Sequence, residues 1–178
     1  LKTGWIKHKN KWYWIKDGSG RLAQNEWITY DSNRYYLKDD GTMASDEWID
    51  DTWYFKSWGG MCKNDWIKVD GIWYYLNEDG TKHADGWLYY LNNWYYLKDG
   101  GRMAANEWVD YDHNWYYFKN WGGMYHDEWL VLNGTSYYFQ NWGGRYFSTT
   151  ATIGGKQYTF DENGRKVSTQ TEWTKLAS

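Results

Sequence analysis

The sequence predicts an all-β protein built as a repeat of β-hairpins, and three observations carry that prediction. First, a phrase opening on Trp returns at Trp5, Trp27, Trp48, Trp66, Trp87, Trp108 and Trp129, at intervals of 22, 21, 18, 21, 21 and 21 residues. A fixed period near twenty marks a repeat array, in which each unit buries its faces on its neighbours. Second, each copy holds a short apolar segment, a polar break and a second, aromatic segment. Trp108-Val109-Asp110 followed by Trp115-Tyr116-Tyr117-Phe118 is the clearest case. Third, a glycine closes every copy, at Gly20, Gly41, Gly59, Gly80, Gly101, Gly122, Gly143 and Gly164. A residue that must take positive φ to re-aim the chain toward the next hairpin is expected at that point.

Taken in order, the copies are unequal. The first carries an extra residue around Gly18-Ser19-Gly20. The second has Arg34 where others have Trp, and the third is shortened by three residues between Ile49 and Trp53. The fourth and seventh carry Asp70-Gly71 and Asn133-Gly134, the pairs that favour a type I′ hairpin turn. The seventh also puts Ser136 at the Trp position. From Thr150 onward an eighth copy is eroded, with Gln157-Tyr158-Thr159-Phe160 as its second strand. Terminal repeats are commonly atypical because they cap the stack, so residues 150–178 are expected to be a cap on one module spanning 1–178. Leu1-Lys2-Thr3-Gly4 reads as the tail of an earlier copy, and Glu172-Trp173 opens a unit without a second strand. Further repeats or another domain are therefore expected upstream.

Composition narrows the function. Aromatics make up 23% of the 178 residues, with 17 Trp and 19 Tyr, whereas Leu, Ile and Val are scarce. Each buried ring removes about 150–250 Å² from water, so cohesion should come from rings packed between neighbours rather than one aliphatic core. Proline is absent, as suits a chain spent on ladder pairing. A net charge of −3 gives no basic face for nucleic acid. No stretch has the 18 or so apolar residues of a membrane helix, so no membrane insertion is expected. The single cysteine, Cys62, allows no intrachain disulfide, which fits a cytosolic protein or an exported bacterial one. No secretory leader heads the sequence, which reads as a mature chain or a fragment. His8, His83, His113 and His126 are too scattered for a metal motif. Asp-Gly and Asn-Gly pairs lack the alternating acids of a calcium loop. No nucleophile, base or phosphate loop stands out, so neither catalysis nor a cofactor is expected.

What the sequence does offer is a recurring aromatic set. The opening Trp, the first aromatic of the second strand, a Met or Leu two residues past the glycine and a Tyr of the next hairpin return together. Trp87, Trp94, Met103 and Tyr117 form one set, and Trp108, Trp115, Met124 and Tyr138 another. Rings converging on a void suit a quaternary ammonium, which has no N–H to satisfy and is attracted to each ring face. Methionine adds a soft, polarizable floor. Acids just before the opening Trp (Glu26, Glu47, Asp65, Glu107, Glu128) would favour a nearby cation. Packing explains any single ring as well. The set repeated in register is what points to binding. Trp58, Trp121 and Trp142, in Trp-Gly-Gly turns, either shield the hairpin end or extend a groove.

The phrase G-W-x(6)-W-Y-Y-L-x(3)-G-x-M resembles the choline-binding repeat of Gram-positive cell-wall proteins. Thr3-Gly4-Trp5, Trp73-Tyr74-Tyr75-Leu76, Trp94-Tyr95-Tyr96-Leu97 and Gly41-Thr42-Met43-Ala44 carry the likeness, which covers nearly the whole chain. The resemblance implies a left-handed β-solenoid with about three hairpins per superhelical turn. It implies choline held between hairpins by two Trp, an aromatic of the next repeat and often a Met. It also implies a secreted module on the bacterial cell wall, bound to choline or phosphocholine of teichoic and lipoteichoic acids, with a choline-linked homodimer as one assembly. Carried onto this sequence, it adds Trp66, Trp73 and Tyr96, with Lys82 in the Met position, and Trp5, Trp12, Leu22 and Tyr36. The shortened copy offers Trp48, Trp53, Met61 and Tyr75, whereas the copies at Trp27 and Trp129 lack the second ring. Related repeats bind α-glucans, so a glucan reader is the rival function, and a spacer with every ring buried is a third.

Overall fold

A computed structural model describes residues 2–167. The unit expected at Glu172-Trp173, residue Leu1 of the leading tail and the end of the 150–178 cap lie outside the described residues. The expectation of an all-β hairpin repeat holds: every strand through Phe160 belongs to a two-strand antiparallel ladder formed with its sequence neighbour.

The hairpins are β1 (Gly4–His8) with β2 (Lys11–Ile15), β3 (Glu26–Tyr30) with β4 (Asn33–Leu37), and the short β5 (Glu47–Ile49) with β6 (Trp53–Phe55). They continue with β7 (Asp65–Val69) and β8 (Ile72–Leu76), then β9 (Gly86–Tyr90) and β10 (Asn93–Leu97), then β11 (Glu107–Tyr111) and β12 (Asn114–Phe118). Next come β13 (Glu128–Leu132) with β14 (Thr135–Phe139), and β15 (Thr149–Ile153) with β16 (Lys156–Phe160). In the eroded copy a two-residue strand, β17 (Lys166–Val167), adds to β16. Contacts divide the chain into two compact units, residues up to 86 with 97–102, and residues 87–96 with 103 onward.

Local chemistry sets each hairpin. Both central turn residues take positive φ, as a type I′ turn requires, at Asp70-Gly71 and Asn133-Gly134 and equally at Leu91-Asn92 and Asp112-His113. The deletion in the third copy leaves a three-residue loop between Ile49 and Trp53, which pair across it. The closing glycines all have positive φ. Asn25, Asp46, Asn64, Asp85, Asn106 and Asp127, each two residues before an opening aromatic position, also take left-handed φ. Asn and Asp tolerate that region best among residues with a Cβ.

Ion pairs tie consecutive hairpins. Lys16 meets Glu26 at 3.0 Å, Lys38 meets Glu47 at 2.9 Å, and Lys119 meets Glu128 at 2.7 Å. The Lys16 hydrogen bond holds the Glu26 carboxyl below its ordinary pKa. These acids therefore serve the hairpin junctions, and their charge is matched before it reaches a ligand.

Within each unit the core is renewed hairpin by hairpin. From the second copy to the seventh the last residue of the second strand is fully buried, Leu37, Phe55, Leu76 and Leu97 in one unit and Phe118 and Phe139 in the other, whereas Ile15 of the first copy is only partly so. Burying one such side chain stabilises by about 1.5–3 kcal/mol. The small residues Ala44, Cys62 and Ala104 fill one common position in the repeat and are also fully buried. Cys62 is thus a packing residue, and burial raises its thiol pKa.

Candidate functional site

The site is assembled from ring contacts that recur along the chain. The register of β11 and β12 pairs Trp108 with Tyr117, and Val109 with Tyr116. Side chains alternate across a strand, so Trp108, Trp115 and Tyr117 share one face, and Val109 and Tyr116 the other. The second face meets the hairpin before it. Tyr116 lies 4.8 Å from Trp87 at 74°, while Tyr117 lies 5.1 Å from Trp108 of its own hairpin.

The same geometry returns at other junctions. Trp5 meets Tyr35 at 4.9 Å, Trp27 meets Trp53 at 5.3 Å, and Trp48 meets Tyr74 at 5.3 Å. In the second unit Trp108 meets Tyr137 at 5.0 Å, and Trp129 meets Tyr158 at 4.9 Å. The planes of these pairs stand 69–79° apart.

This corrects the grouping expected from sequence. Tyr36, Tyr75, Tyr96, Tyr117 and Tyr138 each face the opening Trp of their own hairpin; the ring contributed to the previous hairpin lies one residue earlier. A one-residue shift moves a side chain to the opposite face, which is why the difference is decisive.

The floor residue is corrected as well. Met43 bridges Leu37 at the end of its own hairpin, and its amide donates to the Trp12 carbonyl of the previous one at 2.9 Å. Met124 likewise bridges Phe118 and donates to Trp94 at 2.9 Å, and Met61 donates to Arg34 at 2.8 Å. The floor therefore comes from one repeat later than expected. Leu22 bridges Ile15 beside its own hairpin and is exposed, and Met103 is buried in its own unit beside Gly122. Trp66 packs on Tyr75 at 5.3 Å within the first unit, where Trp73 is exposed.

Cavities open at junctions within each unit. In the first unit Trp5, Trp12, Tyr30, Tyr35, Met43 and Trp58 line about 350 Å³. In the second, Trp87, Trp94, Tyr116, Met124 and Trp142 line about 390 Å³. Trp87 and Trp94 stand at 89° with centroids 6.1 Å apart, and Trp5 and Trp12 at 83° and 6.4 Å, so the rings form box walls. Tyr116 is buried, whereas Trp94 keeps 45% of its surface exposed and so faces the opening. Burial raises the pKa of Tyr35 and Tyr116, keeping both phenols neutral. Lys7 Nζ, exposed, sits 5.6 Å from the Trp12 ring.

The Trp-Gly-Gly tryptophans extend the groove. Trp58 lies 6.0 Å from Tyr35, and Trp142 lies 6.0 Å from Tyr116, each as an outer wall of its cavity. They come from the repeat after the one that supplies the Tyr. The spacing Trp5 to Trp58 and Trp87 to Trp142 was the available signal, but it spans two repeats.

Other junctions hold a cation of the chain itself. The Arg34 guanidinium lies 4.2 Å from the Trp27 ring. Lys82 Nζ lies 4.8 Å from Trp48 and 5.8 Å from Tyr74. The Arg145 guanidinium lies 5.9 Å from Trp108, and Lys166 Nζ lies 5.5 Å from Tyr158. Among the described residues no cluster of His, Cys, Asp and Glu could hold a metal.

Comparison with known proteins agrees with this geometry. Choline-binding repeats match residues 63–108 and residues 21–59, and a putative cell wall binding repeat matches residues 3–22 and 106–124. No curated protein matches the chain in sequence. Among solved structures, the modular autolysin LytC from Streptococcus pneumoniae, in complex with a synthetic peptidoglycan ligand, is 30% identical with a TM-score of 0.80. That match covers 92% of this chain and 38% of LytC. Choline-binding protein F of the same organism, in the presence of a peptidoglycan analogue, is 32% identical with a TM-score of 0.73, over 94% of this chain and 58% of its own. The chain thus spans less than two thirds of either protein. The choline-binding domain of CbpL from Streptococcus pneumoniae is 32% identical with a TM-score of 0.70, and the match covers 96% of this chain and all of that domain. With its hairpin period, its ring-walled junctions and a match along the whole CbpL domain, the chain belongs to the choline-binding repeat family of cell-wall-binding modules.

Proposed function

We propose that this chain binds choline on teichoic and lipoteichoic acids and so anchors an attached surface protein or wall hydrolase to the bacterial wall. The observation that carries the reading is the cavity of Trp87, Trp94, Tyr116, Met124 and Trp142, where ring walls converge with no charged side chain among them. A trimethylammonium group needs no hydrogen-bond acceptor, is weakly hydrated for a cation and gains from each π face it meets. The Met124 sulfur supplies a polarizable floor. The Trp5 cavity is a second such site.

Magnitude fits an anchor. Contacts of about 0.5–2 kcal/mol per ring, less the cost of immobilising the ligand, give a single site of roughly millimolar strength. Several sites on one repetitive polymer gain about 10²–10⁴ in avidity where the geometry allows simultaneous engagement. Repetition is then the mechanism of retention. Choline would join two chains only where polymer-borne headgroups reach both, and residues beyond this chain would carry any catalysis.

Retention on a choline-bearing resin tests the reading. The chain should bind, elute with millimolar free choline and resist elution by dextran. Retention on dextran that choline does not relieve would favour a glucan reader, and loss of retention on both would favour a spacer.

A further inference from the structure

The floor position of the repeat is occupied by Met at the Trp5 and Trp87 cavities and by a cation at two other junctions. Lys82 bridges Leu76 and donates its amide to the Thr52 carbonyl at 2.8 Å, as Met43 and Met124 do in their own junctions. Arg145 bridges Phe139 and donates its amide to the Trp115 carbonyl at 3.1 Å. Each side chain then runs under the closing glycine of the next repeat. A Cβ on Gly101 would lie 2.8 Å from Lys82 Cγ, and one on Gly164 would lie 2.7 Å from Arg145 Cδ. Gly143 holds the same relation to Met124. Backbone path and side-chain entry are therefore shared, and only the head differs.

The heads sit where a ligand cation would sit. Lys82 Nζ faces Trp48 and Tyr74, is tethered to Asp51 at 2.7 Å, and leaves 9% of its side chain exposed. Arg145 faces Trp108, and its Nη1 is buried with no hydrogen bond among the described residues. The guanidinium meets two ring faces there, Trp108 at 5.9 Å and Phe147 at 5.6 Å. Both junctions also lack the outer Trp. The position held by Trp58 and Trp142 in the open cavities falls on Gly100 and Asn163 here.

We propose that Lys82 and Arg145 are built-in occupants of choline-type cages, so that at their two junctions the floor position decides whether the box is open to a quaternary ammonium or closed. At the Trp27 junction, where the floor is Met61, Arg34 of the wall does the closing. The proposal rests on the choline reading above and deepens it. Methionine at that position leaves a ring box with a soft floor. Lysine or arginine fills the box with a tethered cation, whose local concentration exceeds that of any free headgroup.

Crystals of the wild type and of Lys82→Met, Arg145→Met and Met124→Lys, soaked in tens of millimolar choline, test this. Wild-type density should fill the Trp87–Trp94 cavity and be absent beside Lys82 and Arg145. Lys82→Met should gain one choline between Trp48 and Tyr74, and Arg145→Met one between Trp108 and Tyr137. Both new sites should be weaker than the Trp87 site for want of the outer Trp. Met124→Lys should lose the choline at Trp87. If Lys82→Met or Arg145→Met fails to fold, Met124→Lys decides from the opposite direction. Choline at Trp87–Trp94 in every crystal, Met124→Lys included, with nothing gained in the Met variants, would overturn the built-in occupants and leave the choline reading standing. An empty Trp87–Trp94 cavity in the wild type would remove both.

Discussion

Trp87 and Trp94 belong to one hairpin and one cavity yet have different duties. Trp87 touches Tyr96, Tyr116 and Phe118, so it holds the hairpin junction as well as one wall of the box. Trp94 is largely exposed and faces the opening. Trp87→Ala should therefore remove choline from that cavity and destabilise by about 3–5 kcal/mol, read by denaturant unfolding. Trp94→Ala should weaken binding while leaving the unfolding free energy within about 1 kcal/mol of wild type. Tyr116 and Tyr117 separate in the same way. Tyr116→Ala should abolish binding at Trp87, while Tyr117→Ala should leave that cavity and disturb the Trp108 hairpin, with site-resolved choline density as the check. Alternation already shows Tyr116 and Phe118 on one face, but it does not say which face meets the previous hairpin. That depends on the direction of stacking, which no residue of the repeat phrase encodes by itself.

At the scale of the hairpin, turn and closing glycine fix where the walls stand. Gly143 has φ +95°, and a Cβ there would collide with the Met124 side chain. Gly143→Ala should cost about 1 kcal/mol or more from the backbone alone and push Met124 into the cavity, so stability and choline affinity should fall together. The Lys38–Glu47 pair is half-exposed, so Glu47→Gln should change stability by at most about 1 kcal/mol, and less at high salt. The positive φ of the closing glycines was legible because glycine recurs at one point. The turns at Leu91-Asn92 and Asp112-His113 have the same geometry with residues that do not announce it. Trp58 and Trp142 were ambiguous for a related reason. Each serves a cavity opened two repeats earlier, so a repeat-by-repeat reading could not assign them.

For the molecule as a whole, stability should be sensitive to alkali and binding should not follow mild pH. Burial raises the pKa of Tyr35, Tyr54, Tyr95, Tyr116, Tyr117 and Tyr138 above the ordinary value of 10.0. The folded chain keeps these protons where the unfolded chain releases them. Their contribution is therefore full below pH 10 and is lost as pH rises through the folded values. Thermal unfolding followed from pH 8 to 12 should show Tm falling above about 10. The cages hold no group that titrates between pH 6 and 9, so choline affinity should stay flat there. The most direct measurement is a choline titration of Trp fluorescence on the intact chain. A saturable change with a midpoint near a millimolar, reduced in amplitude in Trp87→Ala, is the expected result. A flat signal up to tens of millimolar choline would contradict the account.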